Sequence, residues 1–290
     1  MKDYVILAHN YQRPEVQDMA NYVGDSLKLA MLSKNIECER IIFCGVDFMA
    51  ETAKILSPEK IVLHPDPKSM CPMAQMAEEN AILEAKKNNP DANVVAYVNT
   101  TARVKAVSDC ICTSRNAVDV VNGMDADRII FTPDYNLAMY VQSKTDKEII
   151  PVPLHGNCPT HHQITKEDIM LKLEEYPESL VMAHPECNMG VLELADYIES
   201  TEGMVNVAKK ERDKTFIIAT EVDMIYRLKK DAPHNRYIPA SGYVVCPDMK
   251  SITAEKVRKA IKENVYEVEV EERIRKRAVR SIERMFEITR

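Results

Sequence analysis

Three cysteines in this chain stand directly before proline, Cys71, Cys158 and Cys246, and they are 87 and 88 residues apart. Thiolates bind soft metals and act as nucleophiles. Three of them, each delivered by one copy of a repeating unit, could meet at a single point. Three thiolates leave one position of a metal centre open. A [4Fe-4S] cluster ordinarily takes four, so an iron without a protein ligand could take a substrate oxygen or nitrogen and act as a Lewis acid. Structural zinc on the same cysteines plus His161 satisfies the same count, because Cys158-Pro159-Thr160-His161 has a legitimate ligand spacing. Three buried core thiols are the third alternative, since free cysteine is commonly a packing residue.

Other residues of chemical interest recur with the cysteines. His9 and His184 close equivalent apolar runs, where histidine serves either in proton transfer or as a hydrogen-bonding strand end. Ser26, Ser114 and Thr201 are 88 and 87 residues apart, each ahead of a helical run. They read as N-caps, and helix ends of this kind can also hold carboxylate or phosphate. Tyr97 and Asn99 straddle the end of one strand, and Glu186 lies between His184 and Cys187. Cys38, Cys44 and Cys187 read as packing residues, and Cys110-Ile111-Cys112 is too tightly spaced for a C-x-x-C site.

The elements that must position these residues repeat too. Each unit opens with an apolar run, Val5–Ala8, Val94–Tyr97 and Leu180–Ala183, and continues with a second, Ile41–Phe43, Ile129–Phe131 and Phe216–Ile218. A third extended run precedes each Cys-Pro, and helical stretches containing Glu79, Glu167 and Glu255 follow. Short β-branched runs alternating with amphipathic helices predict parallel sheets covered on both faces. The fold expected is α/β: three homologous α/β/α sandwich domains with parallel sheets around a pseudo-threefold axis. Their spans are 1–90, 91–177 and 178–265, with a C-terminal helix within 266–290 packing back on the body. Ligands bind beyond the carboxyl ends of parallel strands. His9, Asn99, His184 and the cysteines sit at that edge, which predicts one central site.

Composition narrows the function. The chain has 290 residues, a net charge of −7 and no basic stripe, which argues against nucleic acid as a partner. Its seven glycines form neither G-x-G-x-x-G nor a P-loop. No apolar run is long enough to span a bilayer, and Met-Lys-Asp-Tyr lacks a signal-peptide pattern. A soluble, cytoplasmic protein without membrane partners is expected. Eight cysteines then point to metal or catalysis before disulfides.

Several stretches together resemble one family, the quinolinate synthases. They are Leu7-Ala8-His9-Asn10-Tyr11-Gln12, Gly45 to Lys54, Cys71-Pro72-Met73-Ala74 and Tyr97-Val98-Asn99-Thr100-Thr101-Ala102. Ser108-Asp109 with Cys112-Thr113-Ser114, Gly156 to His161, His184-Pro185-Glu186-Cys187 and Thr201-Glu202-Gly203-Met204 continue the series in order. With Cys246 the resemblance covers nearly the whole chain. It implies three α/β/α domains around a central site, and iron over zinc: a [4Fe-4S] cluster on Cys71, Cys158 and Cys246 with one iron open to substrate. It implies a transferase that condenses iminosuccinate with dihydroxyacetone phosphate to quinolinate, the pyridine precursor of NAD, with loss of phosphate and two waters. A separate partner enzyme would supply iminosuccinate from aspartate.

Carried over by resemblance, Tyr11, His184 and Thr201 form a linked proton-handling group, and Glu186 is a further acid or base. Ser26, Tyr97, Asn99, Ser114 and Thr201 are expected to cradle substrate carboxylates and phosphate, with His9 a substrate contact and His161 beside the cluster or substrate. Some members carry C-x-x-C-x-x-C at the third cysteine. Here Val244-Val245-Cys246-Pro247 has one cysteine, so the associated disulfide switch is absent. The rival classes are an iron–sulfur hydro-lyase acting on a small hydroxy acid and a non-enzymatic metal-binding protein.

Overall fold

The computed structural model describes residues 3–289, so positions 1, 2 and 290 of the expected outer segments lie outside the described residues. Strands β1 (Tyr4–His9), β2 (Tyr22–Gly24), β3 (Arg40–Cys44) and β4 (Ile61–Leu63) form one sheet in the order β2-β1-β3-β4. Strands β5 (Asn93–Tyr97), β6 (Cys110–Cys112), β7 (Arg128–Thr132) and β8 (Glu148–Pro151) repeat that order, β6-β5-β7-β8. So do β9 (Leu180–Ala183), β10 (Tyr197–Ile198), β11 (Thr215–Ala219) and β12 (Arg236–Pro239), as β10-β9-β11-β12. All pairs within the sheets are parallel. The protein is α/β, with three four-stranded parallel sheets alternating with helices. Central strands that are covered on both faces need unbroken apolar runs. Ile41-Ile42-Phe43, Ile129-Ile130-Phe131 and Phe216-Ile217-Ile218 supply them, and none of these side chains is more than 1% exposed.

The outer strands β2, β6 and β10 were not among the expected elements. Each adds to the far side of the first strand of its unit, so the strand order reverses between the first and third strands. That reversal opens a crevice at their carboxyl ends.

The helix starts correct one expectation. Asp25, not Ser26, caps the helix Ser26–Asn35 by accepting the Lys28 N–H at 2.8 Å. Ser200, not Thr201, caps Thr201–Lys210 by accepting from Gly203 at 3.2 Å. Ser114 lies in the turn ahead of Ala117–Asn122, whose N-cap position is Asn116. A cap needs non-helical backbone. Asp25 and Ser200 supply it, which frees the hydroxyls of Ser26 and Thr201 from that duty.

The end of the chain returns to its beginning. Leu63 bridges Glu267 in antiparallel fashion, with Val268 N–H donating to the Val62 carbonyl at 2.8 Å. This extended stretch delays the closing helix to Glu272–Ile288. The helix buries Ala278, Ser281, Ile282 and Met285, one face at 3.6-residue spacing. It lies against the helix Ala102–Val107 and β6, and also touches the helix Asp47–Leu56, so it braces the second unit against the first. No helix among the described residues is long and apolar enough to cross a membrane.

Candidate active site

Three strand ends form one wall of a central cavity of about 130 Å³. His9 ends β1, Tyr97 ends β5 and His184 directly follows β9. Two residues beyond each come Tyr11, Asn99 and Glu186. All six line the cavity.

The cysteines line the same cavity from the starts of three short helices, a thiol wall that meets the strand ends where Cys158, His161 and Glu186 come together. Each occupies the N-cap position of a short helix, Pro72–Met76, Pro159–His162 or Pro247–Ser251, with proline at the first helical position. Proline there presets φ and sacrifices only an N–H the helix cannot use. The backbone angles of Cys71 (−83°, 114°), Cys158 (−76°, 113°) and Cys246 (−86°, 106°) are nearly equal. Gly156 permits the approach to the second cysteine, because a Cβ there would lie 2.0 Å from the Pro133 carbonyl oxygen. Ser26, Ser114, Thr201 and His161 complete the set, so every site residue expected from the sequence lines this one cavity.

The hydrogen bonds among these residues run along a path the sequence did not reveal. The Tyr11 hydroxyl lies 2.5 Å from Thr220 Oγ1, which lies 2.7 Å from His161 Nε2. His161 Nδ1 is 2.7 Å from Glu186 Oε2 and 3.1 Å from Cys158 Sγ. Tyr97 donates to Glu186 Oε1 at 2.7 Å, and Asn99 Nδ2 donates to the same oxygen at 3.3 Å. His184 stacks on His161 with ring centres 4.7 Å apart, and its Nδ1 is 3.5 Å from Glu186. Tyr11, His184 and Thr201 are therefore not joined as a group. Tyr11 pairs with Thr220 and His161, whereas Thr201 Oγ1 accepts from Asn10 Nδ2 at 2.8 Å. Thr220 is the functional residue missed. It directly follows β11, one repeat after Thr132 at the end of β7, and that recurrence was the available signal.

Electrostatics set the proton inventory. Burial lowers His9 and His184 from 6.5 to about 3, against the pull of Glu186, so both rings are neutral acceptor–donors. Burial opposes ionisation of Glu186, yet facing His161 and His184, with hydrogen bonds from His161 and Tyr97, brings it down to about 2. Burial and then the Glu186 charge push Tyr11 and Tyr97 well up, so both keep their hydroxyl protons. Asn99 Oδ1 is buried without a partner, an acceptor left over for a ligand.

The donor set fits a metal group. Burial raises the Cys71, Cys158 and Cys246 thiols, offset by the N–H groups of Ala74, His161 and Met249. Cys71 is also raised by Cys246, and Cys158 by Cys71, which marks the three as neighbours. A bound metal ionises such thiols outright. Cys158, His161 and Glu186 also place ligand atoms within 4.8 Å of one another. All eight cysteines are free thiols, and the other five lie outside the cavity lining.

Comparisons with known proteins agree with this geometry. The model of the NadA family, quinolinate synthetase A protein, matches residues 1–287. A quinolinate synthase of Pyrococcus furiosus is 49% identical over 288 residues, covering 99% of this chain and 94% of its own length. Quinolinate synthase 1 of Methanosarcina acetivorans is 47% identical over 287 residues, again 99% and 94%. A quinolinate synthase of Thermodesulfovibrio yellowstonii is 46% identical over 284 residues, 98% and 93%. On these matches, which run through every motif of the cavity, the chain belongs to the quinolinate synthase family.

Proposed function

We propose that this protein condenses iminosuccinate with dihydroxyacetone phosphate to quinolinate, with loss of phosphate and two waters, in the biosynthesis of NAD. A partner enzyme that oxidises aspartate would supply the iminosuccinate. We take the three units as domains spanning 1–90, 91–177 and 178–265, closed by the helix near the C-terminus. We place the protein in the cytoplasm, where eight thiols stay reduced.

The observation that carries this reading is a cavity lined by three thiols, with a connected Tyr11–Thr220–His161–Glu186 path that reaches Cys158 through His161. Cys71, Cys158 and Cys246 would hold a [4Fe-4S] cluster, which when bound supplies a Lewis-acidic iron with one open coordination position. The chain's own residues do the rest. Glu186 accepts from His161 Nδ1–H and fixes the tautomer that leaves Nε2 as acceptor. The Thr220 hydroxyl then donates to Nε2 and accepts from Tyr11. A proton taken from substrate at Tyr11 can thus pass through Thr220 to His161, and the Glu186 charge stabilises the resulting imidazolium. The reverse transfer delivers a proton to a departing hydroxyl. Acid–base elements of this kind contribute about 10²- to 10⁴-fold in rate. His9, Tyr97 and Asn99, with the hydroxyls of Ser26, Ser114 and Thr201, hold the substrate carboxylates and phosphate. Local donors outweigh the dispersed negative charge of the chain.

Protein purified without oxygen tests this directly. About four irons and four sulfides per chain, with quinolinate formed from the two substrates and a cluster EPR signal that shifts when quinolinate is added, are the expected results. A colourless, zinc-loaded protein that makes no quinolinate would overturn the reading.

A further inference from the structure

Beyond the thiols themselves, each cysteine is held from behind in the same way. The Cys71 N–H donates to Asp47 Oδ1 at 3.0 Å, the Cys158 N–H to Asp134 Oδ2 at 3.2 Å, and the Cys246 N–H to Glu221 Oε1 at 3.4 Å. The three acids are 87 residues apart and stand 24, 24 and 25 residues before their cysteines, just past the ends of β3, β7 and β11. We propose that Asp47, Asp134 and Glu221 are positioning residues, each fixing the backbone of one cysteine so that its thiol enters the cavity in the orientation a shared metal group requires. The proposal rests on the reading that these cysteines hold a cluster.

The chemistry of the turn explains the need. The following proline has no N–H, so the cysteine N–H is the last backbone donor before the short helix. Left unmet in a half-buried turn, it would cost up to about 1–3 kcal/mol. In all three units a carboxyl oxygen at the end of the third strand satisfies it, at 3.0, 3.2 and 3.4 Å. Each carboxylate is itself fixed. Asp47 Oδ2 accepts from Gln75 Nε2 at 3.2 Å, and Asp134 Oδ1 accepts the Leu137 N–H at 2.7 Å. Glu221 pairs with Lys250 at 2.7 Å and accepts the Asp223 N–H at 2.9 Å. Every cysteine is thereby tied to the end of the third strand in its unit. Groups behind metal ligands typically carry about 10- to 100-fold in metal affinity.

Asp47→Ala, Asp47→Asn and Gln75→Ala separate this role from packing. Each protein is reconstituted without oxygen, iron and sulfide are counted, and cluster loss to a chelator is timed by visible absorbance. Asp47→Ala should release its cluster about 10-fold faster or more. Asp47→Asn, which keeps an oxygen for the N–H, and Gln75→Ala should stay near wild type, and all metal-free forms should melt together. Wild-type release by Asp47→Ala, or equally fast release by Asp47→Asn, sinks the proposal. Should Asp47→Ala not fold, Glu221→Leu against Glu221→Gln decides by the same two outcomes. A wild-type chain that takes up no iron and sulfide would instead sink the cluster assignment, and this proposal with it.

Discussion

The two walls of the cavity treat the threefold repeat differently. On the thiol wall, chemistry repeats with the backbone: Cys71, Cys158 and Cys246 adopt nearly one conformation, and an acid meets each N–H. On the strand-end wall, the backbone repeats and the chemistry does not. His9, Tyr97 and His184 are one equivalent set, and Tyr11, Asn99 and Glu186 are the other. His161 breaks the pattern as well, because Ala74 and Met249 stand at its equivalents. A metal–sulfur group offers near-equivalent ligand positions and can use three copies of one residue. Two different substrates joining into one ring, as in the proposed reaction, call for differing groups along the strand ends. Symmetry is kept where the ligand is symmetric and lost where it is not.

Breaking the thiol wall should have the largest effect. Cys158→Ala is expected to lose iron and sulfide, read by metal analysis, and to make no quinolinate above background. Damage at the strand ends should leave the metal in place. Thr220→Val interrupts the path between Tyr11 and His161 and should keep full iron content while kcat falls about 10²- to 10³-fold. Tyr11→Phe should match it, and the double variant should be little worse than either alone in single-turnover assays. Asn99→Ala removes one substrate contact. It should raise KM about tenfold, the equivalent of one hydrogen bond, with a smaller change in kcat.

A separate effect falls on the stability of the metal-free protein against pH. His9 and His184 stay neutral in the folded metal-free protein down to about pH 3, whereas the unfolded chain protonates them below 6.5. Stability is therefore full above pH 6.5 and lost as pH falls from 6.5 towards 3, by at most about 1.4 kcal/mol per histidine per pH unit. Glu186, lowered from 4.5 to about 2, adds to the loss below pH 4.5. The melting temperature of metal-free protein should be level at neutral pH and drop on acidification, and His184→Gln should reduce the slope.

Legibility in the sequence followed length and locality. The other nine strands, the three-residue β4 among them, declared themselves through extended runs recurring one repeat apart. Strands β2, β6 and β10 did not, because Tyr22-Val23-Gly24, Cys110-Ile111-Cys112 and Tyr197-Ile198 share no recurring apolar run, and the Cys110-Ile111-Cys112 segment was weighed only as a ligand spacing and set aside. The hydroxyl residues were placed one or more positions out, since Asp25 and Ser200 are equally good caps and spacing does not choose between neighbours. Membership of the cavity lining was legible, because repetition flags equivalent positions and the family resemblance added Tyr11. Pairing was not: Thr220 and His161 are 59 residues apart and belong to different units, and periodicity is blind to contacts between units.

The bridge between Leu63 and Glu267 bears on how the molecule is made. Its partners are more than 200 residues apart, so it forms among the last contacts of the chain, after long loop closure. During synthesis the first unit can fold while Cys246 has yet to be translated. The set of three thiols is incomplete until late, and the edge strand β4 stays uncovered until the final segment arrives. Two early thiols without the third make a poor cradle for a metal–sulfur group. A group held by all three thiols could be completed only after Cys246 has been synthesised.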